Sequence, residues 1–376
     1  MYFNFFHLMP YTDFPEQPGE WPVANKLFDP VRGKQFYDTY LDMMAFADDC
    51  NFGGVGCNEH HFSPFGLMAN CNLVGAALAQ RTKKTRLAMF GNLVPLLNPI
   101  RVAEEYAMLD CMSGGRLIAG LLRGVPHEYI AYNVPPSESR ARLKEAVQLI
   151  TRCWTEPEPF GWEGEFYQFP AVSIWPKPYQ KPHPPILLSA SNEESAQLAG
   201  ELGTRIGIII SNLDNAKRSL DIYKKEMAAR GREVTPDHVM AHQFGFIAES
   251  DDEAEATLKA GQEYFGRVLM RPLREAQRMV LQETRYFGDP KSVHGLASRP
   301  QSGEAFAARS IKEVVDGGSL LCGSPESIVK QVKRVHDVLG HGSTTLTLKV
   351  GNIPDAKVRR AMELFRDRVE PAIRDL

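Results

Sequence analysis

The sequence predicts a closed parallel (β/α)8 barrel, and three observations support this prediction. Eight apolar strand candidates, each followed by an amphipathic helix candidate, run through one chain of 376 residues, and such alternation is typical of parallel α/β folds. The first strand continues into Met9-Pro10-Tyr11, where an open doubly wound sheet would carry a glycine-rich phosphate loop. No long linker, low-complexity tract or repeat interrupts the chain, so we predict a single domain over residues 1–376.

The strands and helices are predicted from their apolar spacing, which has a period of about 2 residues in strands and about 3.6 in helices. In the first half the predicted strands are Tyr2–Leu8, Gly53–Cys57, Arg86–Val94 and Leu117–Leu122. The helices that follow them are Phe36–Cys50, Ala69–Gln80, Ile100–Met112 and Ser139–Trp154. In the second half the strands are Ile186–Ala190, Arg205–Ile210, Val239–Ala248 and Leu346–Val350. Their helices are Glu193–Leu202, Asn215–Arg230, Asp251–Phe265 and Ala356–Val369.

Two segments depart from this alternation. Phe160–Tyr179 is rich in aromatic residues, glycine and proline, which predicts a hairpin or an extended excursion. Residues 266–318 form an insertion after the seventh βα unit, before a further helix at Pro325–Leu339. A long insertion is typical of a mobile lid or a disordered loop. We predict a mobile lid, and a surface excursion without a role explains the segment equally well.

The composition excludes several classes of function. The formal net charge is −3, so no basic excess is available to neutralise nucleic-acid phosphates. No apolar run approaches the ~18 residues that a membrane span needs, and the apolar N-terminus lacks the basic region of a signal peptide. The six cysteines are scattered without a C-x-x-C pair, so we expect no disulfide framework. We therefore expect a cytoplasmic protein with neither nucleic-acid nor membrane partners.

The active site of a βα barrel lies where strands end and helices begin, and Glu59-His60-His61 follows the second strand. Three interpretations compete: a polar layer at the barrel rim, a metal site, or a histidine that acts as an acid, base or hydrogen-bond donor toward an organic cofactor. Adjacent histidines point apart, and no other strand end completes a ligand set. We therefore predict no metal, and the first and third interpretations stay open.

Two later strand ends predict a phosphate site. Arg123-Gly124 follows the fourth strand, and Arg140 opens the next helix together with Arg142. After the fifth strand, hydroxyl and amide side chains lead into a helix N-terminus, namely Ser189, Ser191, Asn192 and Ser195. Such donors, with a guanidinium from a neighbouring strand, suit a phosphate. Ordinary capping by Ser191 or Asn192 is the alternative for the helix terminus taken alone.

The third strand contains Phe90-Gly91-Asn92. A glycine inside a strand often marks close approach of the backbone to a ligand, and a flat aromatic cofactor is one candidate. A bend of the barrel wall is the alternative.

Taken in order, these segments resemble the bacterial luciferase-like, flavin-dependent monooxygenases. The likeness covers most of the chain except Phe160–Tyr179 and the 266–318 insertion, and no single motif is decisive. It rests on Glu59–Gly66, Leu93–Glu105, Leu109–Leu117, Leu122-Arg123-Gly124, Ser139-Arg140, Ser189–Gly203 and Cys322–Glu326.

The resemblance implies a TIM barrel that binds reduced FMN supplied by a separate flavin reductase, in a two-component system. The flavin of such enzymes reacts with O2 to give a C4a-hydroperoxyflavin, which oxygenates a small organic substrate. The substrate classes that fit are an aldehyde, a ketone or a secondary metabolite. The family also implies a homodimer.

By position, the resemblance makes His60 the active-site histidine, which transfers a proton or stabilises the peroxyflavin, and Glu59 a second catalytic residue, a carboxylate near the flavin. It implies a non-prolyl cis peptide at Phe90-Gly91 under the flavin ring, with Asn92 beside it. The phosphate positions carry over to Arg123, Arg140, Ser189, Ser191, Asn192 and Ser195.

One departure limits the resemblance: luciferase has a reactive cysteine at the position of Leu122, so thiol chemistry and light emission are not expected. The alternatives are an F420-dependent oxidoreductase on the same barrel and a catalytically silent flavin-binding protein.

Overall fold

A computed structural model describes residues 1–16, 21–190, 192–274, 276–277 and 310–376 of the chain. Its strands are β1 (Tyr2–His7), β2 (Gly54–Gly56), β3 (Arg86–Leu93), β4 (Leu117–Leu122), β5 (Phe160–Glu163), β6 (Gln168–Val172), β7 (Ile186–Ala190), β8 (Arg205–Ile209), β9 (Val239–Ile247), β10 (Leu320–Gly323) and β11 (Ser343–Lys349). The α-helices among these residues are α1 (Pro30–Phe46), α2 (Cys71–Arg81), α3 (Pro99–Ser113), α4 (Pro126–Ala131), α5 (Ser139–Thr155), α6 (Glu193–Leu202), α7 (Leu213–Ala228), α8 (Asp251–Tyr264), α9 (Ile311–Asp316), α10 (Pro325–Leu339) and α11 (Asp355–Leu364).

Eight of these strands close into a parallel barrel. They pair in the order β9-β11-β1-β2-β3-β4-β7-β8, and β8 pairs again with β9. Every pairing among them is parallel, so all eight carboxyl ends meet at one opening. The predicted (β/α)8 barrel is confirmed.

Several helices start at a polar cap followed directly by proline. The side chains of Asp29, Asn98 and Ser324 accept backbone N–H groups at the starts of α1, α3 and α10. Proline suits the first helical position because its missing N–H would have no partner there. These caps fix where each helix leaves the barrel rim.

The eighth barrel strand begins three residues before the predicted start at Leu346. Ser343, Thr344 and Thr345 are buried although they are polar. Thr345 accepts a hydrogen bond from Asn4 Nδ2 at 3.2 Å inside the barrel. A search for apolar residues could not find this part of β11, because its buried residues are polar and hydrogen-bond to other polar side chains.

Two further pairings lie outside the barrel. β5 and β6 form an antiparallel hairpin, which confirms the excursion predicted at Phe160–Tyr179. β10 pairs in parallel with the carboxyl half of β9 and was not predicted as a strand. The hairpin is a separate two-stranded sheet, whereas β10 extends the barrel sheet beside β9.

The lower part of the barrel interior is packed. Ala88, Ile118, Leu187 and Met240 form a buried cluster inside the ring of strands. The opening at the carboxyl ends therefore begins one layer above these residues.

Only the margins of the predicted insertion are described. α8 continues as a π-helical turn, Phe265–Leu269, whose residues Val268 and Leu269 pack against Tyr11 and Phe14 after β1. Residues 275 and 278–309 lie outside the described part of the chain, and with them most of the predicted lid. In the part that the structure describes, no helix is long and apolar enough to cross a membrane.

Buried histidines make the stability of the fold depend on pH. Burial lowers the pKa of His127 and His242 to about 4 and that of His341 to about 3. In the unfolded chain these imidazoles titrate near 6.5. The unfolded state therefore takes up protons first on acidification, and the free energy of unfolding falls as the pH drops from 6.5 toward 4.

Replacing His341 with Gln should weaken this dependence. The variant lacks one proton-binding group, so the slope of unfolding free energy against pH between 6 and 4 should fall by about 1.4 kcal/mol per pH unit. Urea denaturation at several pH values measures the slope. Equal slopes for the variant and the original chain would contradict the assignment.

Candidate active site

A histidine–carboxylate pair lies beside the barrel opening. His60 follows β2, and its Nδ1 is 2.8 Å from Oε1 of Glu128 on α4. The carboxylate is fully buried, whereas 17% of the His60 side chain is exposed. One ring nitrogen of His60 is therefore held by a buried carboxylate, while part of the side chain stays exposed.

Glu128 is fixed from two sides. Its Oε2 accepts a hydrogen bond of 2.8 Å from Val125 N, at the start of its own helix. Burial acts to raise the pKa of Glu128, but the charge and hydrogen bond of His60, together with His127, hold its pKa below the ordinary value. Glu128 is therefore a carboxylate that can accept the Nδ1–H of His60.

The sequence interpretation missed Glu128. The signal was Pro126 at the first position of a short helix and a glutamate two residues later, directly after the Arg123-Gly124 strand end. α4 is only six residues long, so its apolar spacing did not predict a helix.

A second histidine–carboxylate contact lies next to the first. His61 Nε2 is 3.4 Å from Glu59 Oε1, and the Tyr132 hydroxyl is 2.9 Å from His61 Nδ1. Glu59 Oε1 also lies 3.4 Å from Leu93 N at the end of β3. Glu59 and His61 are both buried. Glu59 therefore contacts His61 and the barrel wall, and the structure does not pair it with His60.

His127 is enclosed beneath these pairs. Neither of its ring nitrogens has a hydrogen-bond partner among the described residues. Its ring meets that of Trp21 edge to face, with centroids 5.9 Å apart. Within the described ranges, no group of three or more His, Cys, Asp or Glu residues could hold a metal ion.

The residues of the predicted phosphate site converge at the carboxyl ends of β4 and β7. The Arg140 guanidinium hydrogen-bonds the Glu194 carboxylate, which joins the N-termini of α5 and α6. Asn192 caps α6 by accepting the Ser195 N–H at 2.9 Å. Ser189 is half-buried near the end of β7, and Arg123 directly follows β4. Ser191 lies outside the described residues.

The wall at β3 differs from what the resemblance implied. The Phe90–Gly91 peptide is not cis, since the cis bonds of the described residues all precede proline. Instead, the β3–β4 register shifts between Met89 and Asn92, which is a β-bulge. A Cβ on Gly91 would lie 2.6 Å from the Gly120 carbonyl oxygen, so only glycine fits there.

The side chain of Asn92 makes its hydrogen bonds inside the barrel wall. Its side-chain amide exchanges two hydrogen bonds with the Asn72 amide, at 2.9 and 3.0 Å, and the side chain is buried. The predicted contact between Asn92 and a cofactor therefore finds no support in its side chain. Phe90 remains partly exposed and contacts Phe6 inside the barrel.

His242 is a further polar group at the opening that the sequence interpretation missed. It lies on β9, and its Nε2 is 3.1 Å from Thr347 Oγ1 on β11. A lone histidine within an apolar strand pattern gives no sequence signal, because only the closed barrel brings it to the opening.

The buried pair around Glu128 should contribute to stability. Replacing Glu128 with Ala removes the acceptor for both Val125 N and His60, so the free energy of unfolding should fall by roughly 2–4 kcal/mol. Glu363→Ala, which breaks only the exposed pair with Arg360, serves as the control and should cost less than about 1 kcal/mol. Chemical denaturation measures both, and equal losses would show that the Glu128 contacts are not formed.

Comparison with known proteins finds one family model, described as luciferase-like monooxygenase, that matches residues 20–342. The oxygenase component of flavin-dependent trigonelline monooxygenase from Acinetobacter baylyi is 27% identical over 64% of this chain and 68% of its own. The alkanal monooxygenase alpha chain of Aliivibrio fischeri is 25% identical over 84% of this chain and 88% of its own. Among solved structures, the monooxygenase RslO1 from Streptomyces bottropensis superposes with a TM-score of 0.76 and 25% identity over 99% of both chains.

Proposed function

The chain belongs to the luciferase-like monooxygenase family, and from this premise we propose that it uses reduced FMN and O2 to oxygenate a small hydrophobic organic substrate. It is an enzyme, a flavin-dependent oxidoreductase. The observation that carries the proposal is the His60–Glu128 pair, which follows β2 at the barrel end where we also propose that a phosphate binds.

The chemistry of that donor set fits a flavin phosphate. Arg123 and Arg140 supply guanidinium groups, Ser189 and Ser195 supply hydroxyls, and α6 presents its N-terminus. Glu193 and Glu194 in the first turn oppose an anion, and the ion pair with Arg140 offsets one of them. We propose these groups, with Asn192 and Ser191, as the residues that hold the phosphate.

When bound, the reduced flavin supplies the electrons that activate O2, so that one oxygen atom enters the substrate and the other leaves as water. The protein contributes proton transfer and positioning. A His60 tautomer that donates its Nδ1–H to Glu128 keeps Nε2 as an acceptor. His60 can therefore take up or deliver a proton at Nε2 while Glu128 holds the ring in place.

The second pair plays a supporting part. Glu59 and His61 are buried, and the contacts to Tyr132 and Leu93 tie the segment after β2 to both α4 and β3. We propose that Glu59 acts through this segment as a positioning residue for His60, although it was predicted to lie near the flavin.

We also propose a partner protein and a cellular compartment for the enzyme. A relative is named an oxygenase component, which supports a separate flavin reductase as partner. All six cysteines are free, and free thiols are typical of a reducing compartment such as the cytoplasm. We propose a homodimer because the family resemblance implies one, and a single domain because no linker interrupts the sequence.

The experiment must distinguish the proposed monooxygenase from two alternatives, namely an F420-dependent oxidoreductase and a catalytically silent flavin-binding protein. The purified chain is mixed with FMN, a flavin reductase, NADH and O2, and the flavin spectrum is followed by stopped flow. We expect reduced FMN to bind and to reoxidise at a rate different from that of free flavin. Reoxidation at the free-flavin rate, or tighter binding of F420 than of FMN, would overturn the proposal.

Replacing His60 with Ala should separate catalysis from binding. The variant should bind FMN within about twofold of the original affinity, whereas the protein-dependent change in reoxidation rate should shrink by about 100-fold, the contribution typical of one proton-transfer group. His60→Gln preserves a donor toward Glu128 but cannot transfer the proton, so it should behave like the alanine variant. Full activity of either variant would exclude the role of His60.

Replacing Arg123 with Ala should weaken FMN binding by at least about tenfold, because a charge-assisted contact to phosphate is worth about 1.5–3 kcal/mol. Arg142→Ala is the matched control, since that side chain pairs with Glu138 and lies over the Phe166 ring. Titration calorimetry with FMN and with riboflavin, which lacks the phosphate, measures the effect. Loss of riboflavin and FMN affinity in equal measure would place Arg123 elsewhere than at the phosphate.

A further inference from the structure

A continuous run of ring contacts leads from His60 into the barrel. The His60 and Phe65 rings meet edge to face with centroids 4.8 Å apart. Phe65 contacts Phe265 at 5.4 Å, and Phe265 contacts Phe244 at 5.9 Å. The first half of this run therefore connects the end of β2 with the turn after α8 and with β9.

The run then crosses the mouth of the barrel. Phe244 stacks on His242 with centroids 5.9 Å apart and an interplanar angle of 19°. His242 contacts Phe6 at 5.0 Å, and Phe6 contacts Phe90 at 5.5 Å. We call these rings, from Phe65 through Phe265, Phe244, His242 and Phe6 to Phe90, the aromatic arc.

Strand periodicity places the inner end of the arc directly above the packed interior. His242, Phe6 and Phe90 each lie two residues beyond a side chain that fills the barrel, namely Met240, Asn4 and Ala88. Alternate residues on a strand share a face, so these rings form the floor of the opening. β9 lies opposite β3 in the closed order, so the arc spans the full width of the barrel.

Three members of the arc are partly exposed, whereas Phe6 and Phe65 are buried. Phe90, Phe244 and Phe265 are only partly buried, and Ile209, whose register partner is His242, is 48% exposed. Partly exposed apolar side chains at the carboxyl end of a parallel barrel are typical of a small-molecule site.

His242 is the polar member of this wall. Its Nε2 lies 3.1 Å from Thr347 Oγ1, whereas Nδ1 has no hydrogen-bond partner among the described residues. Burial lowers the pKa of His242 to about 4, so the ring is neutral at neutral pH. A neutral imidazole in an apolar site favours a neutral polar partner over a charged one.

We propose that the aromatic arc is the substrate wall, and that His242 Nδ1 hydrogen-bonds the oxygen of a planar aromatic substrate carrying a phenol or ring ketone. This inference deepens the proposed function and rests on it for the reaction, because the arc joins the proposed proton-transfer group, His60, to His242. Flat rings gain edge and face contacts along such a wall that an aliphatic chain lacks. A substrate analogue that lacks this oxygen should bind more weakly, because His242 Nδ1 would then lose its contact with water without gaining another hydrogen-bond partner.

The test uses 2-naphthol and naphthalene, which share their rings and differ in one hydroxyl. Binding of each to the protein, with and without FMN, is followed by fluorescence titration. The original chain should bind 2-naphthol about fivefold tighter than naphthalene, the effect of one neutral hydrogen bond. His242→Phe should abolish this preference and keep naphthalene binding. His242→Gln, which retains a donor and an acceptor, should restore part of it.

His238→Phe is the matched control, since His238 precedes the same strand at the opposite end of the barrel. It should change neither dissociation constant. The proposal is overturned if 2-naphthol shows no preference, if neither probe binds, or if decanal binds tighter than 2-naphthol. Loss of FMN affinity in His242→Phe with unchanged naphthol binding would overturn it too, by making the arc a flavin wall. Failure of FMN binding with an intact naphthol preference would instead contradict the proposed function and leave the arc standing.

Discussion

The parallel closure of the barrel is the constraint on which the site depends. Because each of the eight strands runs in the same direction, every strand delivers its following residue to one rim. β2 brings His60, β4 brings Arg123, and β7 brings Ser189 to that rim, although they are far apart in sequence. The β8–β9 pairing completes the ring. Without it, β9 would not face β3, and His242 would not lie across from Phe90.

Much of this architecture could be predicted from apolar spacing. β4, β7, α6 and α10 begin and end at the predicted residues, because their patterns are strong and bounded by caps or breakers. The start of β11 was missed because polar side chains satisfy one another inside the barrel. Local spacing carries no information about such a pairing, since Asn4 and Thr345 belong to opposite ends of the chain.

The residues of the site also fall into a group that the sequence predicts and a group that it does not. Its strand-end residues could be predicted because the rule for parallel barrels selects them. Their partners could not, because Glu128 and His242 reach the site only through tertiary contacts with His60 and Thr347. The resemblance also implied a cis bond at Phe90–Gly91 that this wall does not have. There the chain uses an extra residue in β3 and a glycine that fits under the Gly120 carbonyl.

The two adjacent histidines show how a short sequence motif acquires two environments. His60 and His61 point apart, so one meets a buried carboxylate from α4 and the other a buried carboxylate from its own segment. Glu128 and Tyr132, which contact the two imidazoles, lie four residues apart at α4 and therefore on one face of it. The contacts of both histidines therefore depend on the position of this short helix. A ligand or a substitution that displaces α4 moves the partners of both histidines together. The hydrogen bonds of the two imidazoles therefore cannot be changed independently through that helix.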